Sequence, residues 1–286
     1  MKIHVSDAAA DLIVAAGISL AAFLMASSLA AAQPADLVSR TALRICADPA
    51  NMPFSNEAGE GFENKIAELL AADLKLPLEY TWFPQVTGFV RNTLGAKRCD
   101  LVMGYVAAGE VIQNTNPYYK SAWTLIYPKD GSLNGVASLN DDRLKDKRLG
   151  IVAGAPPATI MATNGLMAHA RPYALMVDRR YESPAEEMLR DIKAGEIDAG
   201  ILWGPIAGYY VKKSGMPLTV APLLNETKSV PMTYRITLGL RHGETEWKHR
   251  LNDFLDVHRA EIQSILLQYG VPLLDEQDKP IPGPKP

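Results

Sequence analysis

The stretch Arg44-Ile-Cys-Ala-Asp-Pro-Ala-Asn-Met-Pro-Phe-Ser-Asn56, followed after four residues by Gly61-Phe62-Glu63-Asn64-Lys65-Ile66-Ala67-Glu68-Leu69-Leu70, decides the fold class. It reads as a buried strand, a Pro- and Asn-rich loop and an amphipathic helix. This order puts a polar loop at the carboxyl end of a strand, where open α/β sheets bind small ligands. The chain therefore reads as one that holds something in a cleft.

Working outward, the same plan recurs. Leu43-Arg-Ile-Cys-Ala-Asp-Pro49 has a counterpart in Arg148-Leu-Gly-Ile-Val-Ala-Gly-Ala-Pro156. Ala96-Lys-Arg-Cys-Asp-Leu-Val-Met-Gly104 is echoed by Ala194-Gly-Glu-Ile-Asp-Ala-Gly-Ile-Leu-Trp-Gly204. Before the second echo, Ser183 is a good N-cap, Pro184 suits the first helical position and Glu186 completes a capping box. Met188, Leu189 and Ile192 share a face, and Gly195 ends the helix.

Strands alternating with helices predict parallel βαβ units. Two units of about a hundred residues each predict a two-lobed α/β fold. Residues 232–241 then read as a strand and residues 245–269 as one helix, with Trp247, Leu251, Phe254, Leu255, Ile262, Ile265 and Leu266 along its apolar stripe. Neither has a counterpart before Leu43, so the chain is expected to cross back and complete the first lobe. The expected boundaries are 40–128 plus 229–275 for lobe 1, 129–228 for lobe 2, and a flexible tail at 276–286. Crossings near Tyr127-Pro128 and near 227–232 would form the hinge.

The chain has 286 residues and a net charge of −3, which argues against a nucleic-acid partner. Residues 1–32 read as a signal peptide: an apolar run ends in Ala30-Ala31-Ala32 before Gln33-Pro34. The rival reading is a membrane anchor, because the run is near spanning length. Small alanines crowding its end and the domain that follows favour export to the periplasm, with no stable membrane insertion after cleavage. The two cysteines, Cys46 and Cys99, suggest a disulfide in an oxidising compartment. The alternative is two free, buried thiols.

The candidate binding residues are Asp48, Asn51, Phe54 and Ser55 on the first loop, with Trp82, Tyr105 and Trp203 bordering the cleft. The polar loop residues either face a ligand or bond to the loop's own backbone. Trp123 reads as core packing, Tyr118-Tyr119 as lobe packing and Arg179-Arg180 as a solvated basic pair. The histidines lack metal-ligand spacing, and no nucleophile elbow, zinc-protease motif or P-loop is present. Glu60 and Glu63 could mimic an acid pair, but carboxylates at a helix N-terminus explain them equally well. The expectation is a binding protein, not an enzyme, with no catalytic residues, cofactor or metal.

Cys46-Ala-Asp-Pro-Ala-Asn-Met-Pro-Phe-Ser-Asn56, Gly59-Glu-Gly-Phe-Glu-Asn-Lys-Ile66, Tyr80-Thr-Trp-Phe-Pro-Gln85, Gly88-Phe-Val-Arg-Asn-Thr-Leu94, Arg98-Cys-Asp-Leu-Val-Met-Gly104 and Trp203-Gly-Pro-Ile-Ala-Gly-Tyr209 carry a resemblance. Together they resemble the quinoprotein-dehydrogenase-associated branch of two-crossover (type II) periplasmic solute-binding proteins. That branch includes the J-type proteins of methanol-oxidation operons, in calcium- and lanthanide-dependent systems. The resemblance implies a periplasmic accessory that binds a pyrroloquinoline-quinone methanol dehydrogenase and assists its activation or maturation. Amino-acid-binding relatives carry an Arg after a Glu downstream of the Asp-strand motif, where it clamps a carboxylate. Here Glu110 is followed by Val111, which argues against amino-acid transport. The alternative function is solute capture for an ABC importer of a small organic solute or cofactor.

Overall fold

Leu43, Ile45, Cys46 and Ala47 are all buried, as a strand with neighbours on both sides requires. In the computed structural model, which describes residues 38–107, 111–226 and 230–283, this strand β1 (Leu43–Ala47) pairs in parallel with two others. The expected signal peptide and Glu110 lie outside the described residues. After β1 come the short pair β2 (Ala50–Asn51) and β3 (Ser55–Asn56), helix α1 (Phe62–Leu74), β4 (Leu78–Trp82), a helical turn α2 (Phe89–Asn92) and β5 (Leu101–Val106). The short β6 (Gln113–Asn114) precedes the ten-residue β7 (Tyr119–Pro128). The second half continues through β8 (Leu149–Val152), α3 (Pro157–Thr163), β9 (Arg171–Tyr173), α4 (Pro184–Ala194), β10 (Ala199–Trp203), α5 (Gly204–Ser214) and β11 (Leu218–Pro222). β12 (Thr233–Leu240), α6 (Thr245–Val257) and α7 (Arg259–Gln268) follow.

The strands run in the order β4-β1-β5-β12-β7-β10-β8-β9, with β11 also on β7 and β6 on β12. β7 joins the two lobes. Its residues 119–122 pair with β12, and residues 123–128 pair with β10 and β11. The change of partner therefore falls at Ala122-Trp123, earlier in the strand than Tyr127-Pro128. One core gathers α1, β1, β12 and the last two helices; others fill the opposite lobe beneath α3, α4 and α5.

The repeated Asp-strand motif has the same structural basis in both halves. Asp100 pairs with Arg44 at 2.7 Å, and its N–H donates to the Arg44 carbonyl at 2.8 Å. Asp198 does the same with Arg148, at 3.1 Å and 2.8 Å. Each carboxylate fastens the start of one parallel strand to its neighbour. Arg241 adds a second guanidinium to Asp100, also at 2.7 Å.

Three local expectations are corrected. The helix read over 245–269 is two helices broken at His258. Asp256, Val257 and His258 are weak helix formers in a row, and the His258 imidazole is drawn to Glu261 and to Asp73 on α1. The Ser183 hydroxyl accepts from the Glu186 N–H at 3.3 Å as a cap, but the Glu186 carboxylate pairs with Lys213 instead of closing a capping box. Residues 276–283 do not hang free. Ile281 packs on the first core, its N–H donates to the Leu273 carbonyl at 2.8 Å, and Lys120 holds Asp278 at 2.7 Å.

Cys46 and Cys99 form a disulfide, Cα atoms 5.5 Å apart, which settles the pairing against free thiols. It closes a sequence separation of 53 residues. Replacing both residues by alanine is expected to lower stability by about 4 kcal/mol, the loop-entropy cost for a ring of this size. Urea denaturation measures it; an unchanged midpoint would show that the bridge does not constrain the unfolded chain.

Candidate functional site

The loop after β1 is held mainly by its own polar groups. Asp48 accepts from the N–H of Ala50 at 2.9 Å and of Gln85 at 2.7 Å. The Ser55 hydroxyl donates to the Asp48 carbonyl, and Asn51 donates to the Gln85 side chain, both at 2.8 Å. The Asn64 carbonyl oxygen accepts from Asn56 and Gly61, each at 3.0 Å, fixing the entry to α1. Phe54 meets Phe62 edge-on at 5.2 Å. The loop is thus a rigid wall.

Between the lobes lies a cavity of about 500 Å³. Phe54, Glu63, Tyr119 and Tyr234 line one side; Trp123, Pro156, Trp203 and Ile206 line the other. Trp203 bridges the aromatic set, 6.0 Å from Trp123 and 5.7 Å, edge-on, from Tyr234. The polar groups are few: Asn51, Gln85, Glu63 and Arg179. Small-ligand sites share this character, mostly apolar walls with a small polar set.

Glu63 is the unusual member. It is the second residue of α1 and only 8% exposed. Burial, and then the nearby charge of Asp48, push its carboxyl up to about 8. Gly104 sits against it with φ +65°; a Cβ there would come within 2.1 Å of Glu63 Oε1. A side chain at 104 would be strained at this φ and would push the Glu63 carboxyl aside.

A second cavity of about 350 Å³ adjoins the first through Arg179. Asp48, Pro84 and Val86 form one lip, and residues 175–180 form the other. Leu175 is 53% exposed, Met176 63% and Tyr181 81%. Across this mouth Arg179 Nη1 reaches Asp48 Oδ2 at 3.3 Å.

The structure brings Asn51, Phe54 and Trp203 together in the main cavity. Asp48 faces the neighbouring one, with both carboxylate oxygens already engaged. Ser55 is spent inside the loop. Trp82 stacks on Tyr80 at 4.4 Å and packs on the first core, away from the cavity lining. Tyr105 packs on the disulfide cluster, and its neighbour Gly104 lines the cavity instead.

Two readings change. Arg179 is an inter-lobe partner of Asp48, not a solvated face, while Arg180 does face solvent and pairs with Asp178. Trp123 packs on the second core and also lines the cavity. Gln85, Tyr234 and Tyr119 join the site through pairing that no local motif announces. Glu63 was visible as a carboxylate opening a helix; its burial was not.

No protein-family model matches the chain. The crystal structure of the periplasmic binding protein XoxJ from Methylobacterium extorquens AM1 is 42% identical in sequence, covers 82% of this chain and 100% of its own, and superposes with a TM-score of 0.70. Protein MoxJ of Paracoccus denitrificans is 29% identical over 262 residues, 87% of this chain and 95% of MoxJ. Protein MoxJ of Methylorubrum extorquens is 26% identical over 247 residues, 81% of each chain.

The raised Glu63 carboxyl makes stability pH-dependent with a defined sign. Below the ordinary carboxylate range both folded and unfolded states keep the proton. As pH rises, the unfolded chain releases it first while the folded protein retains it up to about 8, so this residue makes stability fall across that window. Glu63→Gln removes the fall. Thermal melts at pH 5, 7 and 9 should show the variant gaining on the parent as pH rises, by on the order of a few kcal/mol at pH 9. Parallel pH profiles would mean that the Glu63 carboxyl titrates as an ordinary one.

Proposed function

Because the chain belongs to the MoxJ and XoxJ family of periplasmic binding proteins, we propose that it is a periplasmic accessory to a quinoprotein methanol dehydrogenase. It binds the dehydrogenase, or a partly folded form of it, and assists activation or maturation. Family membership and the resemblance to J-type proteins of methanol-oxidation operons support this choice of partner. The observation that carries the binding mode is the mouth of the cleft. Val86, Leu175 and Met176 expose apolar surface there, leading inward to Trp123, Trp203 and Tyr234. Exposed clustered apolar side chains mark interaction surfaces, and buried aromatic anchors carry most of the energy of such contacts.

Amino-acid capture is poorly served by the same site. Among the described residues lining the main cavity, Arg179 is the sole cation, and it is paired with Asp48. A carboxylate ligand would have to compete for it. No helix among the described residues is long and apolar enough to cross a membrane. The second reading, solute capture for an importer, draws on the cavity size of about 500 Å³, within the range of small-ligand sites.

Calorimetry of the protein against the dehydrogenase, in its apo form and in its metal-plus-quinone form, tests the proposal. Binding that prefers the apo form, with a gain in dehydrogenase activity, is the expected result. Met176→Asp is expected to weaken it at least tenfold without lowering the melting temperature, because that side chain is exposed. No binding to either form would overturn the accessory role and leave importer-type capture.

A further inference from the structure

We propose that the inter-lobe cavity holds an organic cation, with Glu63 as its counter-ion and Trp123, Trp203 and Tyr234 as its aromatic walls. The site is independent of the dehydrogenase reading, because it is built from side chains already in place.

Three observations carry it. Glu63 is more than nine-tenths buried and lines the cavity, yet its carboxylate makes no hydrogen bond or ion pair with any described residue. Buried carboxylates are normally paired, so this one has an open place for a donor. Asp48, the other acidic group near the cavity, is already engaged by Arg179 and by two backbone N–H groups. Glu63 is therefore the acidic group left without a protein partner, and once ionised it is matched by a positive occupant.

The walls fit the same occupant. The indoles of Trp123 and Trp203 lie 6.0 Å apart and are tilted by 60°, and Tyr234 stands edge-on to Trp203. All three rings line the cavity, and an aromatic ring within reach of an ammonium group attracts it, quaternary ones included. The apolar remainder, Phe54, Pro156 and Ile206, suits alkyl substituents and offers no clamp for an anion. The occupant is therefore an alkylammonium without a carboxylate. It is either a free solute or the cationic side chain of a bound protein.

Occupancy is coupled to the Glu63 proton. The titratable groups whose charges bear on this carboxyl are Asp48, Tyr80, Tyr118 and Tyr119, and Arg179 lines the same cavity while paired with Asp48. The three tyrosines are pushed up by burial and stay neutral across the neutral range. A cation must displace the proton from Glu63, so binding strengthens with pH until that carboxyl is fully ionised.

The test is calorimetric titration of the full exported chain with choline, whose charge is independent of pH, and with 3,3-dimethylbutan-1-ol, its neutral isostere. Nα-acetyl-lysine methylamide serves as the side-chain probe. Choline or the lysine probe should bind at pH 9, the neutral isostere at least tenfold more weakly, and affinity should fall about tenfold per pH unit below 8. Glu63→Gln should lose at least tenfold in affinity and all of the pH dependence. Trp203→Leu should weaken choline binding while leaving its pH dependence intact, which keeps the test open if the first variant folds poorly. Preference for choline identifies a free solute, and preference for the lysine probe a partner's side chain. Equal binding of choline and its isostere, unchanged affinity in Glu63→Gln, or no binding of either cation at millimolar concentration would overturn the proposal. Each of these outcomes can be separated from the presence or absence of dehydrogenase binding.

Discussion

A single strand serving two sheets is the constraint on which the rest of the molecule depends. β7 pairs with β12 through its first half and with β10 and β11 through its second. The connection through β7 is therefore paired backbone. Side chains beside the change of partner are engaged as well. The Ser121 hydroxyl donates to the Pro272 carbonyl at 2.7 Å and the Thr124 hydroxyl to the Leu202 carbonyl at 3.0 Å. Because side chains alternate along a strand, Tyr119 and Trp123 share one face, and both reach the cavity. The cleft floor is thus a consequence of strand continuity.

Two acidic residues near that floor sit in different surroundings. Asp48 receives two backbone N–H groups and a guanidinium. Glu63 has burial and the field of Asp48 against it, with nothing opposite. The same contrast gives the cavity its electrostatic character: the first carboxylate is structural, and the second is available. Gly104 is part of this arrangement, since any side chain there would displace the Glu63 carboxyl.

Much of this architecture could be read in the chain before folding. The strand, loop and helix at 43–74 follow from local apolar periodicity, and the echo of the Asp-strand motif marks the two halves because each Asp makes the same ion pair to the strand beside it. Other features depend on the partner surface and leave no local trace. Arg179 looked like one half of an exposed basic pair, and only tertiary folding sets it opposite Asp48. Tyr105 looked well placed after its strand, but the positive φ at Gly104 accompanies its turn toward the disulfide cluster. The apolar stripe over 247–266 continued in phase through His258, so periodicity gave no warning of the break there; only the weak helix formers did. The lining of the cleft was the least legible part, because it draws one or two residues from each of many elements.

The contacts between the lobes differ sharply in strength. Helix α5 is packed against the segment after α7: Gly208 lies so close to Gly270 that a Cβ would come within 1.9 Å of its carbonyl oxygen. Tyr209 stacks on Tyr269 at 6.1 Å, and Lys212 caps the Gln268 carbonyl at 2.7 Å. At the mouth stands a single ion pair, Asp48–Arg179, at 3.3 Å and with Arg179 37% exposed. Arg179 reaches Asp48 from a half-exposed position, and breaking the pair leaves Asp48 with its two backbone donors. The mouth is therefore latched lightly while α5 is fastened, so separating the lips around an incoming group costs little compared with shifting α5. A lip that parts at small cost, above a floor that keeps its aromatic walls and one unpaired carboxyl in place, can admit a bulky partner without losing the geometry of the site beneath.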